Sequence, residues 1–174
     1  MGQLKLFMRK NMTSPVRKKM IIGVIGAANA SPSGLTNAYQ VGRLIAEKGA
    51  ILVCGGLGGV MEAASRGCTE AGGDVLGILP GSSSDSANPY VTLPIVTDMG
   101  HARNIIIAQT ASALIAIEGE YGTLSEIAIS LKLDKPVVQL GSWSQISTTY
   151  QAETPEQAVE MIFSVIRKGG IDNE

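Results

Sequence analysis

The residue types most suited to chemistry lie in the stretch Glu118–Glu126, E-G-E-Y-G-T-L-S-E, of this 174-residue chain. It combines two glycines with three acids and a threonine, directly after an uncharged apolar run that is typical of a buried strand. Thr123 and Glu126 have the spacing of a capping box, which predicts that a helix begins at Thr123. Because the unpaired N–H groups of a helix start attract anions, we expect a phosphate-binding turn that includes Gly119, Gly122 and Thr123.

Arg103 is the second residue whose position indicates chemistry. It falls in the first turn of a predicted helix, Ala102–Ser112, where a cation opposes the helix dipole at a cost of roughly 0.3 kcal/mol or more. A nearby anion would offset that cost, and this anion is either a ligand phosphate or Glu126. A salt bridge to Asp98 or to another acid of the loop is the structural alternative. We expect Arg103 to contact the ligand.

Glycine-rich turns also follow two earlier apolar strands. Gly26 follows the run Met20–Ile25, and Gly55, Gly56 and Gly59 belong to the turn G-G-L-G-G after the second strand. Glycines permit close approach of the backbone to a phosphate, although they also serve simply to make a tight turn. The spacing differs from the G-x-G-x-x-G of dinucleotide-binding turns, which argues against an NAD enzyme. We expect all four glycines to contribute to the ligand site.

Alternating strands and helices must position these residues. The predicted strands are Met20–Ile25, Ala50–Cys54, Val75–Leu79, Ile95–Val96, Ala113–Ile117 and Val137–Leu140, and the predicted helices are Leu35–Lys48, Val60–Ala71, Ala102–Ser112, one starting at Thr123, and Thr154–Lys168. This alternation predicts an α/β fold, a single-domain Rossmann-like doubly wound parallel sheet with helices on both faces, over residues 19–170. The glycine turns then converge at the carboxyl edge of the sheet.

Charge is unevenly distributed along the chain. The first 19 positions hold six basic residues and no acid, whereas the remainder holds eight basic and fifteen acidic residues. We expect residues 1–18 to be a disordered basic leader and the acidic body not to bind nucleic acid. The basic residues before M-I-I-G-V-I-G-A also imitate a secretory signal. Cleavage there would remove the first core strand, so we favour the strand.

The cysteines, the apolar runs and one long loop give further limits on the function. Cys54 and Cys68 lie far from the single histidine and form no C-x-x-C motif, so we expect no metal site and free thiols in a reducing, cytoplasmic compartment. No apolar run reaches about 18 residues, and we therefore expect no membrane span. The segment Pro80–Tyr90, rich in Ser, Asn and Pro, predicts a long exposed loop that is either a lid over the ligand or a plain surface excursion.

Three of these motifs resemble those of the LOG-type family of cytokinin riboside 5′-monophosphate phosphoribohydrolases, also called "possible lysine decarboxylases". C-G-G-L-G-G-V-M-E, H-A-R-N and E-G-E-Y-G-T-L-S-E stand in the family's order and cover most of residues 20–142. The resemblance implies that Arg103 and Glu126 form a catalytic pair if the chain is a hydrolase that converts a nucleoside 5′-monophosphate to free base and ribose 5-phosphate. Lysine decarboxylation would need pyridoxal phosphate on a lysine, and the lysines of the body fall away from the predicted cleft.

Within this superfamily the chain is more similar to a branch of small proteins that includes the molybdenum cofactor carrier proteins. G-I-L-P-G, N-P-Y-V and I-V-T-D-M-G-H-A-R-N carry this likeness. It implies a binding protein for a phosphate-bearing pterin or nucleotide, with the molybdenum cofactor (molybdopterin) as ligand, and a homo-oligomer. Glu118 and Glu120 stand where the enzymes have Pro-Gly-Gly, so we expect them to meet ring N–H donors or to shift the phosphate. The phosphoribohydrolase remains the alternative.

Overall fold

Every strand of the described chain, which in this computed structural model comprises residues 18–147 and 149–171, pairs in parallel with its neighbours. The strands are β1 (Ile21–Gly26), β2 (Ile51–Cys54), β3 (Val75–Leu79), β4 (Leu93–Val96), β5 (Ala113–Ile117), β6 (Val137–Leu140) and β7 (Tyr150–Ala152). The helices are α1 (Pro32–Glu47), α2 (Val60–Glu70), α3 (Asn104–Thr110), α4 (Tyr121–Lys132) and α5 (Pro155–Ile171), and short 3-10 turns span Ser84–Ser86 and Gly100–Arg103. Residues 1–17 of the basic leader lie outside the described residues, so its disorder stays a prediction.

The order of the strands places the carboxyl ends of β1 and β5 side by side. The sheet runs β4-β3-β2-β1-β5-β6-β7, so the chain builds outward from β1 in one direction and then crosses back to β5. Gly26, the last residue of β1, is in register with Ile117, the last residue of β5. In a sheet of this kind, ligands bind outside the strand ends where the order reverses, here between β1 and β5. The predicted fold class is confirmed.

Both faces of the central strands are buried, which explains why their sequences are uncharged runs rather than alternating patterns. Side chains of α1, α2 and α5 share one core cluster with Val24 of β1, and side chains of α3 and α4 share the other with Ile25. The helices α1 and α2 approach so closely that a Cβ atom on Gly42 would overlap the backbone of Ala64. That packing fixes α2, whose first residues follow the glycine turn at the carboxyl edge.

Some element boundaries differ from the prediction for local reasons. Helix α1 begins at Pro32 instead of Leu35 because Ser31 is its N-cap, and the Gly34 N–H donates to Ser31 Oγ at 3.0 Å. Strand β7 was not predicted, because it is only three residues long and two of its side chains are exposed. Helix α5 continues to Ile171, past the glycine pair that was predicted to end it.

Both cysteines are buried and unbridged, which confirms the prediction of free thiols for Cys54 and Cys68. Burial raises the pKa of the Cys54 thiol, and it raises the pKa of the Cys68 thiol to about 11. Neither is therefore a thiolate near neutral pH. Within the described ranges, none of the helices is long and apolar enough to cross a membrane.

Candidate functional site

The N-terminus of α4 opens toward the carboxyl edge of the sheet. The predicted capping box at Thr123 and Glu126 is wrong, because α4 begins at Tyr121 with Glu120 as its N-cap and no side chain caps it. The first backbone hydrogen bond of the helix runs from Leu124 N–H to Glu120 O at 2.9 Å. The three N–H groups before Leu124 therefore have no intrahelical acceptor, which is the arrangement that binds anions.

Arg103 lies at the junction between the 3-10 turn and α3, and its side chain is buried. Its predicted helix, Ala102–Ser112, is in fact this 3-10 turn followed by the shorter α3. The guanidinium Nη1 donates to Asn104 Oδ1, and Nη2 lies 3.5 Å from Gly55 O. Arg103 thus joins the glycine turn after β2 to the start of α3, and its Nε has no hydrogen-bond partner among the described residues.

Arg103 and Glu126 face each other across the cleft. Arg103 Nη1 lies 3.6 Å from Glu126 Oε1, too far for a hydrogen bond, and the two side chains are 10% and 8% exposed. Burial raises the pKa of Glu126 to about 7, while the charge of Arg103 acts in the opposite direction. Burial also lowers the pKa of Arg103, although a guanidinium keeps its charge in proteins. At neutral pH, Glu126 can therefore either give or take a proton.

Gly55 makes room for the guanidinium. A Cβ atom at this position would overlap Arg103 Nη2 and would lie 2.7 Å from Met61 Sδ. Only a residue without a side chain allows Arg103 to reach the end of β2 in this conformation. A glycine is thus needed at position 55 for a second reason, because it leaves space for the guanidinium of Arg103.

The cleft at this edge has a volume of about 310 Å³ and brings together most of the predicted site. Of the predicted residues, its lining includes Gly26, Gly55, Arg103, Gly122, Thr123 and Glu126. Gly59 instead lines a neighbouring groove, and Gly56 packs against Leu79 of β3. Gly119 borders a separate shallow depression with Trp143. The structure therefore brings six of the nine predicted residues into one cleft.

Glu118 points away from the cleft, unlike Glu120. The Glu118 carboxylate accepts hydrogen bonds from Ser31 N–H at 3.0 Å and from Ser31 Oγ, at the N-terminus of α1. Its backbone takes the left-handed region, with φ of 50°. Of the two acids expected beside a phosphate, only Glu120 lines the cleft. A phosphate in the cleft would therefore be repelled by one of these two carboxylates and not by both.

Asn104 is a site residue that the sequence analysis missed. The residue is 6% exposed; its side-chain oxygen accepts from Arg103, and its side-chain nitrogen donates to Ser125 Oγ at 3.0 Å. It therefore connects Arg103 to α4 and fixes the cation relative to the helix N-terminus. The signal was its place beside Arg103 in H-A-R-N, where a polar residue begins an otherwise apolar helix. His101 and Asn29 also line the cleft.

The segment Pro80–Tyr90 is anchored at its far end. Asn88 is 8% exposed; its N–H donates to Gly56 O at 2.8 Å, and its amide nitrogen donates to Leu57 O at 2.9 Å. The loop is thus attached to the glycine turn after β2, while its middle, Ser84–Ser86, stays exposed. That the loop forms a lid over the ligand stays a prediction.

In the part of the chain that the structure describes, no three His, Cys, Asp or Glu side chains come close enough to hold a metal ion. The cleft offers a different chemistry. Unpaired N–H groups and a guanidinium suit a phosphate, and a carboxyl group with a pKa of about 7 stands beside them.

Comparisons with known proteins show which family and which solved structures the chain resembles. Residues 19–166 match the SLOG cluster4 family. The structure is similar to that of the molybdenum cofactor binding protein from the phototrophic bacterium Rippkaea orientalis, at 40% identity and a TM-score of 0.81, covering 86% of this chain and 98% of that one. It is also similar to the Moco carrier protein from Chlamydomonas reinhardtii, at 35% identity and a TM-score of 0.80, covering 87% and 99%.

Enzymes are more distant relatives. A probable cytokinin riboside 5′-monophosphate phosphoribohydrolase of Oryza sativa subsp. japonica is 37% identical over 93 residues. The match covers 52% of this chain and only 38% of the enzyme. The likeness to the cofactor-binding proteins extends over almost their whole length, whereas the likeness to this enzyme is limited to a part of it.

Proposed function

The chain belongs to the SLOG cluster4 family, and from this premise we propose that it is a binding protein for a phosphate-bearing pterin, similar to the molybdenum cofactor carriers. The ligand phosphate lies at the N-terminus of α4, against Gly122, Thr123 and Arg103. Gly26 and Gly55 form the floor of the cleft. Gly56, Gly59 and Gly119 shape the adjoining turns.

One observation carries this proposal, namely the convergence of two kinds of anion-binding group on one cleft. The N–H groups at the start of α4 have no intrahelical acceptor, and the buried Arg103 contributes the positive charge. Glu118 is held by Ser31 and does not compete for these donors. Glu126, with a pKa of about 7, is only partly ionised at neutral pH and therefore opposes a phosphate less than an ordinary carboxylate would.

The molybdenum cofactor is cargo in this proposal, and the residues present fit its chemistry. Its terminal phosphate is of the kind that the α4 N-terminus and Arg103 can hold. The cleft of about 310 Å³ adjoins a groove of about 720 Å³ at Ala28 and Asn29, and this groove offers room for a heterocycle. The volumes of the cleft and of the groove both fall in the range of small-molecule sites, roughly 300–1,000 Å³.

Native mass spectrometry of protein purified gently from cells that make the molybdenum cofactor tests this function. We expect a retained mass of a phosphate-bearing pterin, and we expect Arg103→Gln to lose it while keeping the wild-type circular dichroism spectrum. A protein that retains no pterin, and that shows no heat on titration with 6-hydroxymethylpterin phosphate, would contradict the proposal.

A phosphoribohydrolase is the second candidate, and the Arg103–Glu126 pair is the observation that favours it. Ionised Glu126 would take a proton from water as the water oxygen bonds to the ribose anomeric carbon. The electron pair of the C–N bond would leave with the base, which is then protonated. Arg103 would orient the phosphate-bearing substrate. Because Glu126 must be ionised to accept the proton from water, the rate of hydrolysis should rise as pH increases through about 7.

Incubation with a panel of nucleoside 5′-monophosphates, followed by chromatography for free base, decides this alternative. Base release that disappears in Glu126→Gln would support a hydrolase. Absence of release from every nucleotide, or release that Glu126→Gln leaves unchanged, would exclude it. A pyridoxal phosphate enzyme is not proposed, since none of the described residues that line the cleft is a lysine.

A homo-oligomer accompanies this function because one edge of the sheet is apolar and exposed. Leu93 and Ile95 of β4 are 51% and 42% exposed, and Met99 and Ile105 nearby in sequence are also exposed. We propose that a second copy of the chain covers this edge. Sedimentation equilibrium should give a dimer or larger assembly that Ile95→Lys dissociates, whereas Leu133→Lys, at the exposed leucine that follows α4, leaves it intact. A wild-type monomer would contradict this.

A cytoplasmic location is the last part of the proposal. Its support is the pair of buried, unbridged thiols, which suits a reducing compartment. Nucleic acid is not among the proposed partners, because the excess of acids after position 19 disfavours phosphate backbones. A cell-fractionation experiment that recovers the protein with periplasmic or secreted markers would contradict the proposed location.

A further inference from the structure

A groove of about 720 Å³ lies beside the cleft, and its lining has a different chemistry from that of the cleft. It lies between α1 and α2, and its wall includes Tyr39, Glu62, Arg66 and Tyr90. Ala28 and Asn29 line both the groove and the cleft, so the two adjoin each other at these residues. A ligand with its phosphate at α4 can therefore extend its other end into this groove.

Planar surfaces line the groove. The Arg66 guanidinium carbon lies 5.7 Å from the centre of the Tyr39 ring, and Arg66 Nε donates to Glu70 at 2.8 Å. The Tyr39 hydroxyl donates to the same carboxylate at 2.7 Å. This network holds Arg66 and Tyr39 in place, and Tyr90 adds a second ring. Aromatic rings and guanidinium planes are the surfaces on which heterocycles stack.

Glu62 is the acidic group of the groove, and within residues 18–147 and 149–171 its carboxylate has neither a hydrogen bond nor an ion pair. Arg66 stands one helical turn further along α2, where it could pair with Glu62, but it pairs with Glu70 instead. Glu62 is half-buried in the wall of the groove. Two acceptor oxygens are therefore available to a ligand that enters the groove.

We propose that the groove is the heterocycle subsite of the ligand and that Glu62 selects rings with a 2-amino-4-oxopyrimidine edge, the edge that pterins and guanine share. That edge presents a ring N–H beside an amino group, and one carboxylate accepts from both donors in parallel. Adenine presents a ring nitrogen acceptor beside its amino group, which would face the carboxylate with a lone pair. The inference rests on the proposed function, because the phosphate must lie at α4 for the ring to reach Glu62.

Calorimetric titration with three phosphate monoesters tests the selection. The probes are 6-hydroxymethylpterin phosphate, GMP and AMP, and the two nucleotides share the same ribose 5′-phosphate. We expect the pterin and GMP to bind at least about 10-fold more tightly than AMP, because two hydrogen bonds to a charged acceptor separate them. Glu62→Gln should remove about 10-fold of this preference and leave the affinity for AMP within about 2-fold.

Matched variants distinguish selection from a general loss of folding. Glu47→Gln removes an exposed acid of α1 outside both cavities and should leave all three affinities unchanged. Tyr90→Leu should weaken all three heterocycles but not ribose 5-phosphate, whereas Tyr90→Phe, which keeps the ring, should bind like the wild type.

The outcomes separate the two proposals. If AMP and GMP bind equally well and both depend on Arg103, the phosphate site stands and the selection by Glu62 is wrong. A Glu62→Gln variant with an unchanged preference for GMP also overturns the selection. If none of the three probes binds, the proposed function and this inference both fail.

Discussion

The raised pKa of Glu126 makes a quantitative prediction about stability. Its pKa lies at about 7 in the folded protein against an ordinary value of 4.5, because the side chain is buried. Between these values the folded state binds more protons than the unfolded state, so stability falls as pH rises through this window and levels off above it. From pH 5 to pH 8 the ionisation of Glu126 should cost about 2 to 3 kcal/mol.

Replacement of the carboxyl group by an amide isolates this contribution. Glu126→Gln resembles the protonated side chain, so its free energy of unfolding should exceed that of the wild type by about 2 to 3 kcal/mol more at pH 8 than at pH 5. Guanidinium unfolding of both proteins at four pH values measures the difference, and other titrating groups cancel. A pH-independent offset for Glu126→Gln would refute the reasoning.

Three further predictions concern residues that position the site. Lys135→Met should lower the free energy of unfolding by about 1 to 2 kcal/mol in thermal unfolding, because Nζ donates to three carbonyls at the end of α3, at 2.7, 2.5 and 2.6 Å. The control Lys132→Met should change it by less than about 0.5 kcal/mol. Equal effects of the two substitutions would contradict this prediction. Gly55→Ala should displace Arg103 and weaken phosphate binding at least about 10-fold by calorimetry while far-UV circular dichroism stays unchanged; wild-type affinity would count against it. Glu118→Ala should cost about 1 to 3 kcal/mol in urea unfolding, since the N–H and hydroxyl donors at the start of α1 lose their charged acceptor, and a neutral result would contradict that assignment.

Periodicity was sufficient to predict the sheet. The uncharged runs of β1, β2, β3, β5 and β6 could be recognised because strands buried on both faces exclude polar residues. The same logic could not find β7, whose side chains at Tyr150 and Gln151 are exposed. The predicted β4 was also too short, because a proline and exposed side chains at the sheet edge weaken the strand pattern.

Contacts between distant segments account for what the sequence could not predict at the site. Thr123 and Glu126 have capping-box spacing, yet the side chain of Glu126 faces Arg103, a partner that only tertiary packing provides. Glu118 was expected beside the ligand because it flanks Gly119 in the predicted phosphate-binding turn. Its carboxylate is instead bound by Ser31, 87 positions away, a contact that exists only because β1 and β5 are adjacent.

The phosphate dependence of binding tests the central claim most directly. Calorimetry should compare 6-hydroxymethylpterin phosphate with 6-hydroxymethylpterin itself, against the wild type and Arg103→Gln. If the α4 N-terminus and Arg103 hold the phosphate, the phosphorylated pterin binds the wild type at least about 10-fold more tightly, and most of that advantage disappears in Arg103→Gln. Equal affinities of the two pterins for the wild-type protein would contradict the assignment of this cleft as a phosphate site.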